Sequence, residues 1–301
     1  MSSFDVDSGR SQAELEGHDV GAIAPAARKR LWAAVDGQDI WVSSSVGGGW
    51  RHVVSLAEGP NTGLRAECLA DTRANEEDGI LIGTSGAHLI RVEQDGPQPV
   101  ESFERAPGRD RWFTPWGGPP DVRSITETRD AVFVNVHVGG VLRSRDQGMS
   151  WEPTIDINAD IHRVVTGSGR IYAAGAHGLS VSHDGGDAWT PSGRGLHAPY
   201  CRSVAVCGDK ILLSASDGPR GGRAALYRTD LNATFLERCR AGLPEWIVGN
   251  IDSLCLDALP DGQLAAFGSE SGEVFISADQ GATWQQLAEG LTRIRCLLVL
   301  P

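Results

Sequence analysis

No apolar run in this sequence approaches the roughly 20 residues that a membrane-crossing helix needs, so no membrane partner is expected. The opening MSSFDVDSGR has neither a basic start nor an apolar stretch. It reads as a chain without a secretory signal or transit peptide, expected in the cytoplasm. The six Cys (Cys68, Cys201, Cys207, Cys239, Cys255 and Cys296) form no CxxC pair and no zinc-ligand spacing, which leaves reduced thiols acting as small hydrophobes. Positive charge is scarce: 27 Lys and Arg stand against 39 Asp and Glu, and a net charge of -12 repels a phosphate backbone, so nucleic acid is not expected as a partner. The basic runs Arg28 to Arg30 and Arg220 to Arg223 read as solvated loops. Phosphate loop, nucleophile elbow and HExxH helix are all absent. The sequon at Asn232 has no secretory route, and the half calcium loop from Asp5 to Gly9 fits the repeat phase better.

What is present is turn chemistry. With 38 Gly, 15 Pro and short hydrophobic runs, the composition predicts an all-β fold. Internal comparison finds SRDQGMSW at 144–151, SHDGGDAW at 182–189 and SADQGATW at 277–284, all fitting S-x-D-x-G-x-x-W. Asp146, Asp184 and Asp279 are placed to accept backbone N–H groups inside a hairpin turn, beside glycines that supply positive φ. Trp151, Trp189 and Trp284 follow, where a flat side chain wedges between neighbouring sheets. These six are therefore structural residues. Weaker copies occur at 43–50, 91–98 and 228–235, and a further one at 5–12 keeps Asp7 and Gly9. The Asp positions 7, 45, 93, 146, 184, 230 and 279 recur about every 45 residues, the length of a four-stranded propeller blade.

The pattern is the Asp box, and on these motifs the chain resembles the sialidase-like, sortilin-like and photosystem-assembly-factor propellers. The expected architecture is one domain over 1–301, a seven-bladed β-propeller and a monomer, with six blades as the alternative. Residues 4–16 and 293–300 are expected to pair in a shared closing blade. The resemblance also implies that binding sites lie around the channel on the face opposite the Asp-box turns.

Arg123, His162, Arg202, Asp252 and Arg295 fall at comparable places on inner strands, and His88, His137 and His177 fall in turns on that face. His18 and His197 map to linkers there. Arginines at such a mouth suit a carboxylate or phosphate, since guanidinium offers a fixed bidentate fork. No cofactor is predicted. A divalent metal on His137, His162 and His177 is the alternative, because neutral imidazole is a common ligand. Trp112, Trp116 and Trp246 in linkers either floor a sugar site or anchor their loops.

True sialidase activity is not expected. The family's Phe/Tyr-Arg-Ile-Pro motif is absent, and of the three Tyr only Tyr200 begins an inner strand. Asp252 and Glu270 are the one carboxylate pair that a different glycosidase could use. Two functions remain open: a propeller binding a small anionic or sugar-like ligand, with glycosidase-like hydrolysis as its catalytic form, or a non-catalytic scaffold for a protein partner.

Overall fold

A computed structural model describes residues 1–6, 8–72, 79–93 and 96–301, so Asp7 lies outside the described residues. The protein is an all-β propeller. Six four-stranded antiparallel sheets follow one another along the chain, over 20–55, 66–99, 122–153, 161–192, 204–238 and 256–288. In each sheet the strands pair in chain order, and the inner strands of successive sheets lie side by side around the channel. Middle strands such as Ile80–Thr84 and Gly140–Ser144 are buried along their whole length, because both faces of each sheet are covered. Outer strands such as Glu152–Pro153 are exposed. Five apolar clusters account for the five junctions between successive sheets: Trp32 and Ile40 meet Ile80 and Ile82, for example, and Leu212 and Leu226 meet Phe267 and Phe275.

The three full S-x-D-x-G-x-x-W segments fold alike, each joining the third and fourth strands of its sheet. Ser144 Oγ donates to Asp146 Oδ1 at 2.8 Å, and Ser150 N donates to the same oxygen at 2.9 Å. Ala188 N on Asp184 and Thr283 N on Asp279 repeat the second bond, each at 2.9 Å. Trp151 then reaches back to the preceding sheet, donating to Ser102 Oγ at 3.2 Å and meeting Phe103 edge-on. Trp284 is buried against the fifth sheet in the same way, whereas Trp189 is only half-buried. Trp50 continues the rule at the start of the chain: its Nε1 donates to Glu14 Oε2, beside the hairpin of Ser2–Asp5 and Arg10–Ala13.

Closure corrects the seven-blade expectation in favour of the six-blade alternative. Among the described residues the two hairpin strands pair only with each other, and residues 293–300 form no strand. The reason is where that last segment finds its partners. Leu297 N donates to Leu254 O at 2.7 Å and Val299 N to Asp257 Oδ2 at 2.8 Å, both on the sixth-sheet side. On the other side Arg295 pairs with Asp19 and Cys296 Sγ contacts Val20 O, both at the entry to the first sheet. One extended segment thus bridges the sixth and first sheets, and the seventh phase of the repeat counted a hairpin of two strands.

Candidate ligand site at the channel mouth

Antiparallel alternation fixes the two faces. Inner strands start at one end, the turns between second and third strands return to it, and the S-x-D-x-G-x-x-W turns fall at the other. At the starting end, four inner strands carry a bulge at their second residue, namely Gly21, Glu67, Arg123 and His162. A bulge re-aims the side chain it carries. Here it sets His162 among neighbours from the third and fifth sheets, and Arg123 beside Asp121 and His137 of its own sheet.

The cluster runs from the third sheet to the sixth. Arg123 Nη2 lies 3.3 Å from His137 Nδ1 and 3.6 Å from Asp121. His137 Nε2 lies 2.9 Å from Asp160 Oδ1, and His162 Nε2 lies 3.1 Å from the same oxygen. His162 Nδ1 donates to the Cys201 carbonyl at 2.7 Å, which leaves Nε2 without a proton in the neutral ring. Burial lowers the His137 pKa, partly offset by Asp160. Burial also acts to raise the Asp160 carboxyl, but its two imidazole neighbours outweigh it and hold the group below the usual carboxylate range. Among the described residues, His137, Asp160 and His162 form the one group of His, Cys or carboxylate side chains spaced to hold a metal ion, with ligand atoms within 4.8 Å of one another.

Aromatic rings continue this row on both sides. Trp116 lies 5.2 Å from the His137 ring, the two His rings are 5.5 Å apart, and Tyr200 lies 4.8 Å from His162. Arg202 sits over Tyr200 and donates to Asp252 Oδ1 at 2.8 Å. Arg293 Nη2 then bridges Asp252 and Glu270 at 3.1 and 2.9 Å. The two carboxylates singled out for hydrolysis do stand together, on one guanidinium. Burial acts to raise the Asp252 carboxyl, but the Arg202 charge and hydrogen bond together with the Ser253 N–H outweigh it and hold the group below its usual value, the opposite of what a general acid requires.

Deeper in the channel, Arg163 Nη1 spans from the fourth sheet to Ser253 O of the sixth at 2.8 Å. Burial pushes the Glu67 and Asp257 carboxyls up. Among the arginines named for the mouth, Arg123, Arg202 and Arg295 each have a carboxylate within ion-pair distance, in Asp121, Asp252 and Asp19.

The remaining candidates divide. Trp112 is buried against Phe103, with Arg109 over its ring, and anchors its loop. Trp246 belongs to a separate cluster with Arg238, Arg223 and His197. His88 pairs with Glu104 and Arg109, His18 pairs with Asp36, and His177 is exposed outside the metal-spaced group. Two surface hollows lie away from the mouth, one lined by Arg111 and residues 153–158, the other by Arg91, Glu93 and residues 96–102. Sequence reasoning missed Glu67, Asp160, Arg163 and Arg293. Glu67 was accessible, since its place two residues into AECLAD matches Arg123 in its own strand.

No family model matches this sequence, and no curated protein matches it. Its fold is similar to several solved propellers. A GH74 enzyme from Niastella koreensis superposes with a TM-score of 0.64 at 16% identity, over 90% of this chain and 45% of that one. The GH74 xyloglucanase of Xanthomonas campestris gives 0.63 at 17% identity, over 90% and 45%. YCF48 bound to D1 peptide gives 0.63 at 15% identity, over 89% and 82%. The chain spans under half the length of the two GH74 structures, and at these identities the likeness is one of fold alone, a β-propeller architecture.

Proposed function

We propose that this chain is an Asp-box propeller that binds a small, sugar-like ligand at the channel mouth without hydrolysing it. The outer rings of that row, exposed Trp116 and half-buried Tyr200 on either side of buried His137 and His162, carry this reading. Ring faces stack on the apolar faces of sugars, while the adjoining Arg202, Asp252 and Glu270 offer donors and acceptors to hydroxyl groups. The mouth's ion pairs favour a neutral hydroxylated ligand over an anion, because an anion would have to break them. The ionised, doubly paired Asp252 argues against acid catalysis.

Xyloglucan oligosaccharides are the first probe, since a xyloglucanase shares the fold. Calorimetry should show saturable binding that Trp116→Ala weakens at least about tenfold, with little change in melting temperature because Trp116 is 66% exposed. A panel of neutral oligosaccharides that all fail to bind would remove this reading.

A second reading rests on Phe113, 62% exposed in the same loop as Trp116. Two neighbouring apolar side chains of this kind suit a protein partner, and the YCF48 structure holds a peptide on a similar fold. Binding of the D1 peptide, lost in Phe113→Ala and undisturbed by oligosaccharide, would favour the scaffold.

A further inference from the structure

We propose that His137, Asp160 and His162 bind one divalent transition-metal ion, Zn2+ foremost, at the channel mouth between the third and fourth sheets. Around a tetrahedral Zn2+ with ligands at about 2.0–2.2 Å, neighbouring ligand atoms stand roughly 3.3–3.5 Å apart. His137 Nε2 and His162 Nε2 stand 2.9 and 3.1 Å from Asp160 Oδ1, so small side-chain rotations bring the set to that spacing.

Two atoms of this group have unmet needs. Asp160 Oδ1 and His162 Nε2 are both buried, and neither takes an aligned hydrogen bond despite their proximity. Buried polar atoms in folded proteins take partners. The Cys201 carbonyl can only accept, so it holds the His162 proton on Nδ1 and turns a bare Nε2 lone pair toward a carboxylate oxygen. That juxtaposition is repulsive unless a positive centre, a proton or a metal ion, lies between the two atoms, and of these a metal ion can engage His137 Nε2 as well.

His162 is 2% exposed and His137 7%, so the donor set is built into the fold. Arg123 contacts His137 Nδ1 at 3.3 Å, and Asp121, 3.6 Å from the guanidinium, is placed to receive it when the imidazole takes an ion. Two imidazoles with a single carboxylate select a borderline metal over Ca2+ or Mg2+, which prefer sets rich in oxygen. Three protein ligands leave a coordination position for water or for a ligand hydroxyl. What fills that position rests on the function proposed above; ion binding itself does not.

The test uses the full chain, stripped with chelator and titrated with ZnCl2, with CoCl2, and with ferrous iron under anaerobic conditions. Expected are one Zn2+ per chain by calorimetry and visible d–d absorption from bound Co2+ that Zn2+ abolishes. Asp160→Asn and His162→Ala should each weaken Zn2+ at least about 100-fold. His177→Ala, altered on an exposed turn, should bind as wild type. The cobalt spectrum of the wild type needs no variant, so a misfolded His162→Ala leaves the test intact.

Failure of the wild type to bind any of the three ions overturns the proposal. So does Zn2+ binding that Asp160→Asn and His162→Ala leave unchanged or that His177→Ala removes, either of which assigns the ion to other histidines. Ferrous iron held more tightly than Zn2+ overturns the choice of metal. Oligosaccharide titration of chelator-stripped protein judges the sugar reading separately, because it requires no ion.

Discussion

Asp146 collects its hydrogen bonds from Ser144 and Ser150, both within four residues of it, and this locality made the turn readable from the sequence. The Ser150 hydroxyl and backbone N–H, with the Ser144 hydroxyl, lower its pKa to about 2, while Asp184 and Asp279 are lowered by the same kind of bonds. A carboxyl whose folded pKa lies below its unfolded value adds stability at higher pH and loses it as pH falls through the folded pKa. Acid unfolding should therefore steepen from about pH 4 down to about 2. The melting-temperature gap between wild type and Asp146→Asn should be widest near neutrality and close over that window; a gap independent of pH would contradict the assignment. Asp160 and Arg293 escaped sequence reading for the complementary reason. Asp160 meets His137 from 23 residues earlier on the preceding sheet, and Arg293 meets Asp252 and Glu270 only when the sixth sheet folds, contacts that no local spacing announces.

Among elements, the turn and its following Trp act as a unit that pins one sheet to the one before it. Trp284 is buried among Leu212, Cys239 and Phe267, and Gly281 precedes it with φ of +82° and Leu212 packed over its Cα. Trp284→Ala should cost about 3–5 kcal/mol in denaturant unfolding. Gly281→Ala should cost about 1–3 kcal/mol, from backbone strain and overpacking together. Trp189, half-buried, should cost less than Trp284, and equal losses would show that depth of wedging does not set the penalty. The repeat made these elements legible because each needs the same residues at the same spacing. The shared position of Arg123 and His162 was legible from their place on inner strands, and that of Glu67 could have been, but the bulge itself was not, because only strand register shows it.

At the scale of the molecule, five junctions have apolar clusters and the sixth is bridged by residues 293–300. The sequence period located the blades but miscounted them, because a two-stranded hairpin carries a repeat phase as readily as a full sheet does. Removing residues 293–301 deletes the bonds from Ile294, Leu297 and Val299 to the sixth-sheet side. At about 1 kcal/mol each, their loss should lower the melting temperature by roughly 5–10 °C. A truncated chain that melts with the full one would mean that the seam is held elsewhere.

The same seam has a bearing on biosynthesis. Ribosomes add about 5–20 residues per second and domains begin folding as they emerge. Each of the first five sheets can dock on its successor as soon as that successor appears, yet the bridge between sixth and first is made after every sheet. Until it arrives, Leu254, Cys255 and the backbone of Val20 lack their contacts with the closing segment. The nascent protein thus passes through an open arc whose two ends are adhesive, and the interval before residues 293–300 emerge is when a chaperone, or a neighbouring nascent chain, competes for that edge.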